Sequence, residues 1–171
     1  MLSQSPGQGV PLREFDPWFH GHECWPADCE EKSMSLDKLT IKFQEALQAA
    51  QRLASKSAHS ELKSGHVLLE LMQQEGGIVV PLLEKSGVDL PVLKARTIAC
   101  LDREPRMQGA SAQPQISFGL RSILDAAGDV QVELDDEFLS VEHFLLGAIE
   151  SEGSAGQLLR EAGVTREGLD R

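Results

Sequence analysis

The chain has no apolar run approaching the ~20 residues that span a bilayer, and no lysine and arginine cluster that would form an electrostatic footprint for nucleic acid. With 27 acidic against 16 basic residues among 171, its formal net charge is −11, so neither nucleic acid nor a membrane is an expected partner. Three cysteines, Cys24, Cys29 and Cys100, make no disulfide framework, and Cys100 reads as a small core residue. The start, Met1-Leu2-Ser3-Gln4-Ser5-Pro6, lacks a basic stretch followed by an apolar core, which is what a secretory signal needs; a cytoplasmic protein is expected. No Gly-x-x-x-x-Gly-Lys-Ser/Thr occurs, hence no phosphate-cradling loop for ATP. No serine or cysteine has a base and an acid at a spacing that supports nucleophilic catalysis. Neither a catalytic residue nor a cofactor is expected.

What the chain does have is a repeat. His66-Val67-Leu68-Leu69-Glu70-Leu71, running to Gly76-Gly77 and then Pro81-Leu82-Leu83-Glu84-Lys85-Ser86-Gly87-Val88, returns as His143-Phe144-Leu145-Leu146-Gly147-Ala148 and Leu158-Leu159-Arg160-Glu161-Ala162-Gly163-Val164. The offset is 77 residues between the histidines and 76 between the Gly-Val pairs, so one deletion accounts for the difference. Two copies are too few for an open solenoid, whose inner repeats need neighbours on both sides. The expected fold is all-α: two pseudo-symmetric four-helix repeats packed as one closed domain. Repeat one covers 34–102, a linker 103–116, and repeat two 117–171.

Residues 1–33 stand apart, with four of the eight prolines, both tryptophans and no helical period; they read as an irregular leader. Met34-Ser35-Leu36 would serve as a start of its own, so an upstream start codon is one reading of the leader. His20, His22, Cys24 and Cys29 could close on zinc, but their spacing matches no finger or ribbon and the flanks offer little structure to offset ordering entropy. No metal site is assigned.

From Leu36 the pattern is helical. Leu36, Leu39, Phe43, Ala46, Leu47, Ala50, Leu53 and Ala54 recur at steps of three and four, with Ser35 or Thr40 as cap. Ser64 should cap a second helix that stops at Gly76-Gly77. Pro81 opens a third and Pro91 a fourth. Repeat two starts near Ser117 and continues through the acidic loop Glu133-Leu134-Asp135-Asp136-Glu137, a helix capped by Ser140, and a short helix over 154–162. Thr165 opens a last helix that is expected to be cut off at Arg171.

Leu39-Thr40-Ile41-Lys42-Phe43-Gln44-Glu45-Ala46-Leu47, His66-Val67-Leu68-Leu69, Gln74-Glu75-Gly76-Gly77 and Glu142-His143-Phe144-Leu145-Leu146 closely resemble the Clp N-terminal (Clp repeat) domain. The Gln-Glu-Gly-Gly turn, the tract Leu82 to Val88 and Arg103-Glu104-Pro105 look most like the ClpB-type disaggregases. The resemblance spans 34–171. It implies a domain tethered ahead of AAA+ rings that engages unfolded or aggregated client segments, and in ClpA and ClpC relatives adaptor proteins. ClpC relatives carry a glutamate before the histidine of both repeats, associated with phosphorylated arginine; here Glu142 is present but Gly65 replaces its counterpart.

Thr40, Asp136 and Glu142 match family residues tied to client handling. Each also has a plain structural reading, as helix cap, solvated loop acid and first-turn carboxylate. Leu124 and Val130 are candidate groove walls, or else ordinary core. His66 and His143 read as packed, hydrogen-bonded histidines. The leading function is a non-catalytic protein-binding domain of a ClpB-like chaperone; the alternatives are a standalone Clp-repeat adaptor or regulator and, from the leader, a metal-dependent activity.

Overall fold

The computed structural model describes residues 38–107 and 113–169. Leu36, the leader with His20, His22, Cys24 and Cys29, and part of the linker lie outside the described residues. The elements run α1 (Ile41–Lys56), β1 (Glu61–Leu62), α2 (Ser64–Gln73), α3 (Val79–Lys85), α4 (Leu90–Leu101), β2 (Gln115–Ile116), α5 (Phe118–Glu133), α6 (Val141–Glu150), α7 (Ser154–Glu161) and α8 (Arg166–Leu169). Among the described residues none of the helices is long and apolar enough to cross a membrane.

The apolar stripes predicted for α1 and α5 bury Phe43, Ala46, Ala50 and Ala54 on one, and Leu120, Ile123, Leu124, Ala127 and Val130 on the other. The broad apolar face of α2 is matched by burial from Ser64 to Leu69 and at Leu71 and Met72. Its counterpart α6 is buried from His143 to Ala148. A helix covered on several sides needs apolar residues on several sides, which a single stripe does not supply. At the centre the Phe43 and Phe144 rings pack with centroids 5.4 Å apart. A fully buried side chain of this kind contributes about 1.5–3 kcal/mol relative to exposure. Gly147 lets α6 approach α5 closely, for a Cβ there would lie 2.6 Å from Ala127 N. Gly156 does the same for α7 against the Ala148 carbonyl.

Two expectations change. The first helix begins at Ile41 with Thr40, one of the two expected caps, at the N-cap; Leu39, expected within it, is extended and forms a parallel bridge with Leu139. Thr40 N–H donates to Leu139 O at 3.0 Å, and Leu139 N–H to Lys38 O at 2.8 Å. The linker likewise contributes β2, which pairs in parallel with β1 in the register Glu61 to Gln115 and Leu62 to Ile116. Leu39 and Ile116 are 77 residues apart, as are Leu62 and Leu139. The segment entering each copy therefore pairs with the segment ahead of the histidine helix in the other copy.

Ser64 also differs from its expected role. It is the first residue of α2, Lys63 being the N-cap, and its hydroxyl accepts from Ala155 N–H at 3.2 Å and lies 3.1 Å from Ser154 Oγ. It caps α7 rather than its own helix.

Candidate functional site

On the seam between the copies, α1 and α5 leave an apolar cleft of about 280 Å³. Leu47 and Leu124 form facing walls, 77 residues apart in the chain, and Leu39 and Ile116, at the same offset, belong to the paired segments beside them. Leu62, Leu120 and Pro114 extend the apolar surface, and Gln44, Gln48 and Gln51 of α1 supply its polar side. The glutamines recur at four and three residue steps, so they share one helical face.

The predicted site residues are distributed around this cleft unequally. Leu124 lines it. Val130, six residues along the same helix, is buried and does not line the cleft; its assignment as a groove wall is corrected to the ordinary-core alternative. Thr40 holds the N-cap position of α1, with its carbonyl accepting from Phe43 and Gln44 N–H, but its hydroxyl makes no capping bond. Its backbone bond to Leu139 joins it to the strap of residues 136–140, which carries Asp136 and leads into α6 with Glu142 in its first turn. Glu142 is exposed in the first turn of α6, where a carboxylate is favoured by the helix dipole.

Asp136 is anchored at both ends of the residue. Its N–H donates to Gln131 O at 3.1 Å, its carbonyl accepts from Gln131 Nε2, and Asp135 before it takes a left-handed turn at φ 56°. Its carboxylate lies 2.9 Å from Nε2 of the buried His143, out of line for a hydrogen bond, so the contact is electrostatic. Ser140 N–H donates to Nδ1 of the same ring at 2.9 Å.

Repeat one has the same histidine lock with a different partner. Lys63 N–H donates to His66 Nδ1 at 3.0 Å, and His66 Nε2 lies 2.8 Å from His59 Nδ1. His59 occupies the position 77 residues before Asp136, and Ala58 before it is also left-handed, at φ 57°. Because His66 Nδ1 is an acceptor, its proton sits on Nε2 and is donated to His59. Burial first, then repulsion from His59, pushes the His66 pKa down to about 4; burial and Arg106 lower that of His59. The recurring histidines are therefore buried structural locks. Among the described residues no group of three His, Cys, Asp or Glu side chains is placed to hold a metal.

Of the ten cleft residues sequence reasoning found only Leu124, missing Leu39, Leu47, Leu62, Pro114, Ile116, Leu120 and the three glutamines. The repeat offset was the available signal, since adding 77 to Leu47 gives Leu124.

Comparison with known proteins agrees with this architecture. Residues 38–162 match the Clp repeat (R) N-terminal domain family. The chaperone protein ClpB of Mycobacterium bovis is 38% identical over 130 residues, covering 76% of this chain and 15% of the relative, so the chain spans about a sixth or less of that protein's length. ClpB of Vibrio cholerae is 36% identical over 134 residues, covering 78% and 16%. Among solved structures, the N-domain of ClpV from Vibrio cholerae superposes with a TM-score of 0.69 at 23% identity, covering 88% of this chain and 90% of that one. A ClpV N-domain in complex with a VipB peptide gives 0.64 at 24%, covering 78% and 82%. At these identities the two structures speak for the fold alone. Sequence match and fold together place the chain in the Clp repeat N-terminal domain family.

Proposed function

We propose that this chain is the non-catalytic, protein-binding N-terminal domain of a ClpB-like ATP-dependent chaperone, capturing exposed apolar segments of unfolded or aggregated clients for an AAA+ motor. The observation that carries the reading is the apolar cleft between Leu47 and Leu124, open to solvent on the seam between the copies. A ClpV relative solved with a VipB peptide supports peptide capture by this fold. Thr40 follows the cleft residue Leu39, which pairs with Leu139 in the segment between Asp136 and Glu142. The two acids would favour clients with lysine or arginine flanking the apolar segment. Capture is weak by design, because a disordered client loses conformational entropy on docking.

The test is an amide NMR titration of the chain with an unfolded, apolar-rich client peptide. Shifts should gather at Leu47 and Leu124 and extend to Thr40, Asp136 and Glu142. No shifts at millimolar peptide would remove client capture from this domain.

A further inference from the structure

None of the ten residues lining the cleft is charged, in a chain whose residues are 25% charged. The polar groups it presents are primary amides. The side chains of Gln48 and Gln51 make no hydrogen bond within the described residues, and both residues are exposed. Opposite them stands β2. Gln115 N–H bonds Ser60 O at 3.1 Å and Ser117 N–H bonds Leu62 O at 3.0 Å, so the alternation of a parallel ladder turns the N–H and C=O of Ile116 toward the other edge. The Ile116 side chain, 50% exposed, lines the cleft.

We propose that the cleft takes an extended, uncharged apolar segment and reads it through its main chain, with the Gln48 and Gln51 amides and the outer edge of Ile116 as the polar contacts. This deepens the client-capture reading and rests on it. A primary amide both donates and accepts, so it pairs with a peptide unit of either chain direction. Charged groups in its place would select for sign, and apolar ones would leave the client's N–H and C=O groups desolvated without partners. A helical client has already satisfied those groups internally and gains nothing from the amides. The cleft therefore distinguishes extended from folded chain, with side-chain identity limited to what fits between Leu47 and Leu124. The acids Asp136 and Glu142 act on charged flanks and not on the segment in the cleft.

The experiment uses the 171-residue chain and a capped, uncharged peptide of Leu, Val, Ala and Ser, with a second version in which esters replace two central peptide bonds. In the parent chain, affinity for the first peptide should change by less than about twofold between roughly 50 and 500 mM NaCl. Gln48→Leu with Gln51→Leu should weaken it about tenfold, and the ester peptide should lose a similar factor on the parent. Equal or tighter binding by the glutamine double variant, or of the ester peptide, overturns main-chain reading. In that event loss of binding in Leu47→Asp, with helicity retained by circular dichroism, leaves the capture site itself standing. A parent chain that binds no peptide removes both.

Discussion

Lowering the pH should weaken this domain through His66, by an amount that follows from its position. The ring is fully buried, accepts Lys63 N–H on Nδ1 and gives its own proton to His59. It has no vacant lone pair, so protonation must break one of these bonds. Its pKa is near 4 in the folded chain against 6.5 for an ordinary histidine. Above 6.5 the ring is neutral in both states and the folded chain is at full strength. As pH falls below 6.5, the unfolded chain binds a proton that the folded one refuses, and stability drops until about 4, where the loss levels off. At about 1.36 kcal/mol per unit, the loss between pH 7.5 and 5 is about 2 kcal/mol and the full loss about 3 kcal/mol. His59, also lowered by burial, adds in the same direction. The assay is urea unfolding at pH 7.5, 6 and 5 for the parent and for His66→Gln. Glutamine at this position can still accept the N-cap N–H, as in a capping box, but does not titrate. The variant should be less stable at pH 7.5, and its fall toward pH 5 should be smaller than the parent's by about 2 kcal/mol. Equal falls would refute the reasoning.

Other expectations follow from packing and from the strap. Gly147→Ala should cost about 2–3 kcal/mol, since the new Cβ would press on the backbone of Ala127, which no rotamer change relieves; a thermal midpoint within a degree of the parent would contradict this. Ser117→Ala should cost about 1 kcal/mol, because its hydroxyl accepts from Leu120 N–H at 3.2 Å, whereas Thr40→Ala, at the equivalent cap but without such a bond, should cost only a few tenths; equal costs in chemical denaturation would show that the caps are alike. Asp136→Ala with Glu142→Ala should weaken binding to an unfolded client with basic flanks while moving the thermal midpoint little, checked by titration and calorimetry on the same sample.

The helices α1 and α5 were legible because each buries a face that recurs at 3.6-residue spacing, and α2 and α6 because each is a broadly apolar segment that recurs. The start of α1 was not. Leu36 and Leu39 continue that spacing, yet Leu39 is claimed by Leu139, 100 residues away, and no local pattern reports such a pairing. β1 and β2 are two residues each, too short for an alternating period to exist. Leu124 and Val130 lie on the same apolar stripe, look equivalent in sequence and are both buried; only tertiary packing sets Leu124 at the cleft and Val130 apart from it. Asp136 in its acidic loop read as one charge among several. Its tie to His143 depends on the left-handed turn at Asp135, whose sequence carries no glycine to announce it.

The exchanged pairings of Leu39 with Leu139 and of β1 with β2 bear on how the domain comes apart. A single copy of the unit would carry an entering segment and a pre-helix segment, each with its hydrogen-bonding partner missing. Neither copy can close these pairings by itself, so the two should open and reclose as one cooperative unit, and a break at either pairing leaves backbone groups of both copies without partners.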